Sequence, residues 1–297
     1  MKEQSYKKIA VFVVLTFALS SIFYYLVIST GSFPTSYGLG IMWCPGVAGI
    51  VTQLIFNHNL RGMGWKPGRG RYLLASYFLP LAYTFVVYAI IWLVGLGKFD
   101  PAALYKFVSE ANGPDSTPFG IVGTYVVILL TLGFIVNCVA ALGEEIGWRG
   151  LLVPELAKTT SFAKTALISG GIWAVWHWPL ILSGEYNSTG TPLWFGLICF
   201  TIMLIGLNFA FTWLRLKSGS LWTTVLLHAA HNLFIQAFFN HLTSNTGITE
   251  YVIDEFGIGL ALMAPVLAYL FWRKRQDIEV VDTELPRSRV PEFAPAK

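Results

Sequence analysis

Apolar residues along this chain run in long unbroken stretches rather than in one-sided stripes. Eight stretches fall at roughly 9–29, 38–57, 72–96, 119–142, 165–182, 192–214, 220–241 and 252–272, each near the ~20 residues that cross a hydrocarbon core as a helix. Segments such as GSFPTSYG, NLRGMGWKPGRGR and SGEYNSTGTP, rich in turn formers or charge, separate them. The pattern predicts an all-α fold, a polytopic transmembrane helix bundle of about eight spans. The fifth stretch is the shortest, and the fourth is free to run on through the two carboxylates that follow it. The run from Ile9 to Ile28 is long enough to span and has no small-residue cleavage site after it, so it reads as a span and not as a signal peptide.

Composition supports the same class. Hydrophobic residues make up 55% of the 297, charged residues only 12%, and mean hydropathy is +0.61; a soluble domain carries about 25% charged residues. With the N-terminus in the cytoplasm, eight spans put 18 of the 20 Lys and Arg residues on the inside, leaving Lys98 and Lys106 outside. That partition follows the positive-inside rule and predicts both termini cytoplasmic. The chain is expected to hold one transmembrane domain over 1–272, with a motif-bearing core at about 119–241 and a mobile cytoplasmic tail at 273–297. A multi-pass protein of a bacterial plasma membrane is the expected setting. The net charge of +4 points to no nucleic-acid partner. Cys44, Cys138 and Cys199 have no metal-ligand spacing and read as packing residues.

Polar chemistry concentrates in three apolar stretches. Glu144, Glu145 and Arg149 stand in ALGEEIGWRGLL, His177 in WAVWHWPL, and His228, His231 and Asn232 in LLHAAHNLF. Ionisable groups at membrane depth are costly, so they mark a functional site. Glu145 and Arg149 are four apart and share a helix face, which predicts a bracing ion pair. Glu144 lies about 100° around the helix and is left to face a cavity, where a desolvated carboxylate suits general-base work. His228 and Asn232 share a face; His231 is a rival to His228. Trp173, four before His177, predicts an aromatic wall, and Pro179 is expected to bend or end that helix.

These residues resemble the CPBP family of intramembrane proteases, which includes type II CAAX prenyl endopeptidases and bacterial Abi or bacteriocin-processing and immunity proteins. The family pattern of EExxxR, aromatic-xxx-His and HxxxN is met in order by Glu144-Glu145-x-x-x-Arg149, Trp173-x-x-x-His177 and His228-x-x-x-Asn232. Trp173 stands where the family usually has Phe. The resemblance implies an endopeptidase acting on membrane-associated polypeptides, lipidated or carrying a leader peptide. In it Glu144, helped by His177, activates water, and His228 with Asn232 stabilises the oxyanion, while Glu145, Arg149, Trp173 and His231 support them. No metal ligand is assigned: a metal-free site is preferred, with Zn as the alternative, since HExxH is absent. The active site is expected in the cytoplasmic half of the bilayer, with His228 about 12 Å deep.

Two other classes compete. A proton-coupled transporter uses the same residue types, but no repeated halves are visible. A non-enzymatic scaffold or immunity partner would keep its phenotype in Glu144→Gln.

Overall fold

The computed structural model describes residues 2–112, 118–188 and 190–278. Nearly all of it is helical. The main helices are α1 (Lys2–Thr30), α2 (Thr35–Asn57), α3 (Gly70–Leu93), α4 (Pro101–Asn112), α5 (Pro118–Ile128), α6 (Phe134–Glu145), α7 (Val153–Ala157), α8 (Phe162–Leu182), α9 (Leu193–Ser218), α10 (Trp222–Asn232) and α11 (Ile258–Arg273). Two antiparallel two-residue strands, β1 (Lys98–Phe99) and β2 (Thr243–Ser244), tie loops together. The tail expected to be mobile lies, over 279–297, outside the described residues.

Six helices among the described residues are long and apolar enough to cross a membrane: Lys2–Thr30, Thr35–Asn57, Gly70–Leu93, Val122–Ala157, Phe162–Leu182 and Leu193–Ser218. Eight were expected. The seventh and eighth stretches are helical, but they fall short for different physical reasons. Trp222–Asn232 carries two His and an Asn and continues as a wider π turn, Leu233–Phe239, so it is too polar. Ile258–Arg273 has only 16 residues, because Asp254 takes a left-handed φ of 65° and Gly257 caps the helix start. Asp254 therefore sits in a loop rather than in the last helix.

The fourth span does run through the carboxylate pair. α5, α6 and α7 form one continuous helix interrupted by π turns at Leu129–Gly133 and Ile146–Leu152. The helix α8 also continues past Pro179 to Leu182.

Packing follows small residues. The sequence Gly143-x-x-x-Gly147, which runs from the end of α6 into the following π turn, meets Gly46 and Gly49 of α2 at backbone distance: a Cβ on Gly46 would lie 2.4 Å from the Gly143 carbonyl oxygen, and one on Gly147 would lie 2.4 Å from that of Pro45. Such small-xxx-small seams let membrane helices approach closely, and this one fixes the Glu144–Glu145 turn against α2. A Gly147→Ala variant is expected to lose about 1–3 kcal/mol through overpacking, read as a lower melting temperature in detergent, whereas Gly171→Ala, with open space around it, should not.

Elsewhere α1 lies along α2 and is pinned to α7 by Ser5 and Lys8, which donate to Glu155 at 2.7 and 3.1 Å. The helices α8, α9 and α11 pack side by side, and α3 packs on α10. Large apolar side chains such as Val14, Leu132, Val136 and Leu262 are exposed on the outer surface, as expected of faces turned to lipid.

Candidate active site

The three polar motifs converge. Glu144, His177, His228 and Asn232 line one cavity of about 160 Å³, together with Trp173 and His231. Glu144 and His228 are buried, while His177 and Asn232 are half-buried.

Glu145 and Arg149 make the expected ion pair, Nη1 to Oε1 at 2.7 Å, and neither side chain is exposed. Two further contacts lock the guanidinium. Its Nη2 donates to Asn208 Oδ1 at 2.6 Å, and its Cζ lies 4.0 and 4.1 Å from the ring centroids of Trp173 and Phe211, which meet each other edge to face. Asn208 is oriented in turn by donating to the Ala166 carbonyl at 2.6 Å and to Ser169 at 2.5 Å. A planar cation stacked and forked in this way is work for Arg rather than Lys. Glu145 Oε1 also receives His228 Nδ1 at 3.0 Å, so the bracing pair reaches the third motif. Its Oε2 has no protein partner among the described residues.

Glu144 is held differently. Its Oε2 accepts from the indole N–H of Trp173 at 2.7 Å and from that of Trp148 at 3.3 Å. Trp173 is thus more than an apolar wall: it donates to the carboxylate and covers Arg149 with the same ring. A Phe there keeps the wall and loses the donor. With a hydrogen bond to a charged group worth about 1.5–3 kcal/mol, Trp173→Phe is expected to lower kcat by roughly 10- to 100-fold with KM little changed. A matched change in both constants would argue against a positioning role.

His177 sits on α8 with Nδ1 2.9 Å from the Trp173 carbonyl oxygen. Because a carbonyl only accepts, Nδ1 carries the hydrogen and Nε2 keeps a lone pair. Its ring is walled by Trp176, Phe200 and Tyr186, with centroids at 4.7, 4.9 and 6.0 Å. His231, the rival to His228, also reaches the cavity wall but is bound on both edges: Nδ1 meets the Tyr83 hydroxyl at 2.5 Å and Nε2 meets Glu255 Oε1 at 3.1 Å.

Glu255 was not singled out in the sequence. It lines the cavity and accepts from His231, from Tyr186 at 2.6 Å and from Gln236 at 3.0 Å. Burial opposes its ionisation, but these donors hold its carboxyl below the usual carboxylate range. Burial and the neighbouring Glu255 push Asp254 above that range. No sequence spacing flags Glu255, because it sits in a turn that returns to the site only in three dimensions.

Among the described residues no three His, Cys, Asp or Glu groups come together as ligands. Glu144 Oε2, His177 Nδ1 and His228 Nδ1 are bonded to protein partners, which fixes how each group is oriented. Cys44, Cys138 and Cys199 are free thiols.

Residues 126–234 match the family model described as type II CAAX prenyl endopeptidase Rce1-like. The chain is also similar to CAAX prenyl protease 2 of Methanococcus maripaludis, at 33% identity over 98 residues. That match covers 32% of this chain and 36% of the relative, so it spans about a third of each. All three motifs fall within the matched 126–234.

Proposed function

From the match of residues 126–234 to the Rce1-like type II CAAX prenyl endopeptidase model, we propose that this protein is an intramembrane endopeptidase that hydrolyses peptide bonds with a water activated by Glu144. One observation carries the reading: Glu144, His177, His228 and Asn232, drawn from three separate helices, line a single cavity. The substrates are membrane-associated polypeptides.

The hydrogen bonds support a division of roles. Glu144 Oε2 is occupied by two indoles, so Oε1 takes the proton from water, and the Nε2 lone pair of His177 orients that water. The water oxygen bonds to the scissile carbonyl carbon as its proton moves to Glu144. The oxyanion is met by Asn232 and His228, the preorganised-dipole effect that contributes most in many acyl transfers. His228 donates Nδ1–H to Glu145, so its Nε2 carries a hydrogen only as the imidazolium. The Glu145 carboxylate that accepts from Nδ1 favours that form as a direct counter-charge. Collapse of the intermediate breaks the C–N bond, and the proton held by Glu144 passes to the leaving nitrogen. No step is routed through a metal.

The test is quantitative terminal proteomics on membranes from cells expressing wild type or Glu144→Gln at matched levels. Peptide termini that depend on Glu144 are expected, and they would reveal the substrate and its cleavage site together. Unchanged termini, with the variant still complementing a deletion strain, would leave a scaffold role in place of hydrolysis.

A further inference from the structure

Every long helix runs between the same two ends of the molecule. At one end lie the starts of α1, α3, α8 and α10 and the ends of α2, α7, α9 and α11. They are joined by Lys8 to Glu155, by the Leu221 amide to the Gly64 carbonyl and by Trp213 to the Lys274 carbonyl. At the other end β1 pairs with β2, Thr249 donates to the Leu96 carbonyl and Tyr186 donates to Glu255. The first end is basic, with Arg61, Lys66, Arg69, Lys158, Lys164 and Lys217 among its charges. The second has Lys98 and Lys106 against Asp100, Glu185, Glu250, Asp254 and Glu255.

The cavity is closed towards the basic end. On that side Arg149 backs the lining rings of Trp173 and Phe211, and beyond it Arg215 donates to the Arg149 carbonyl at 2.7 Å and to the Gly62 carbonyl at 3.1 Å, so that together they form a floor. The loop between α2 and α3 plugs what remains: Met63 is 1% exposed and lies against Gly150. Gly64, at φ 91°, lets that loop pass where a Cβ would strike the Leu221 amide at 2.8 Å. Towards the other end the lining becomes exposed. Phe33, 37% exposed, and Gln236, also exposed, lie at the mouth beside Tyr186. His177 is five residues from the α8 terminus on that side, roughly 7.5 Å along the helix.

We propose that the Glu144 cavity opens on the non-cytoplasmic face of the membrane and receives extended segments of exported or membrane-anchored polypeptides from that side. The positive-inside rule places the basic end in the cytoplasm, and the floor of Arg149, Arg215 and Met63 bars approach from there. The depth of His228 counted from its helix start had suggested the reverse. That count measures distance from the nearer surface, but the Met63 loop seals that surface. Hydrolysis itself rests on the reading of Glu144 given above; the direction of access does not.

Thiol labelling in cells separates the two. In a background with Cys44, Cys138 and Cys199 replaced by Ser, single cysteines are introduced at the mouth (Phe33→Cys, Gln236→Cys) and at the basic end (Arg61→Cys, Lys66→Cys). A charged, membrane-impermeant methanethiosulfonate is applied before and after permeabilisation. The mouth positions are expected to react in intact cells, and the basic-end positions at least tenfold more slowly until the membrane is opened. Labelling in the opposite order, or equal labelling of both ends in intact cells, overturns the proposal. Two positions at each end keep the test valid if one variant misfolds. The same pattern should appear in a Glu144→Gln background, so a failure of the hydrolytic reading leaves this result standing.

Discussion

Glu144→Gln is expected to fold like the wild type and to lose about 10²–10⁴-fold in turnover, the usual weight of a positioned general base. Gln has the same shape, and its side-chain carbonyl can still accept from the Trp173 and Trp148 indoles that hold Glu144. What disappears is the capacity to take a proton from water at the other oxygen. Melting temperature in detergent should therefore stay within a degree or two of the wild-type value while Glu144-dependent cleavage falls. A variant that melts early and loses activity in proportion would mean that Glu144 braces the fold instead.

The neighbouring ion pair should behave in the opposite way. Arg149→Met removes a guanidinium with no exposed surface, together with its bonds to Glu145 and Asn208. It leaves the Glu145 carboxylate buried beside His228 with its strongest partner gone. Breaking a buried pair from one side costs about 3–5 kcal/mol, and here the cation–ring contacts with Trp173 and Phe211 are lost as well. The expected readout is a large drop in melting temperature and early proteolysis of the detergent-solubilised protein. Replacing both partners, as Glu145→Gln with Arg149→Met, should recover part of that loss, because no uncompensated charge remains. If Arg149→Met were as stable as wild type, the pair would not be structural, and the division of labour between the two adjacent carboxylates would fail.

That division was legible in the sequence. The i, i+4 spacing of Glu145 and Arg149 predicts their pairing, and the offset of Glu144 predicts its separate surroundings. The long apolar runs likewise locate the helices, since apolar length is a local property. Other features depended on contacts that no local pattern records. The span count fell from eight to six by length and apolarity because polar site residues dilute one helix and the Asp254 turn shortens another. Trp173 reads as a wall until its indole N–H is found on Glu144. Glu255 is one carboxylate in a turn, and its meaning comes from Tyr186, His231 and Gln236 closing around it. The spacing of the glycine seam is local, because Gly143-x-x-x-Gly147 brackets the carboxylate pair itself, but its partners Gly46 and Gly49 lie on a helix far away in sequence.

The π turns that directly follow Glu145 and Asn232 have a consequence for comparing this chain with its relatives. A turn closed by i→i+5 bonds takes in one residue more than an α turn. Against a relative whose helix is α throughout, an ungapped alignment through either motif would misplace everything downstream by one position. One position is about 100° of helix rotation, enough to exchange a lipid-facing residue for one that packs inward. A one-residue gap placed after Arg149, within 150–152, and another at Leu233–Phe239 would restore the correct faces and keep the motifs themselves in register.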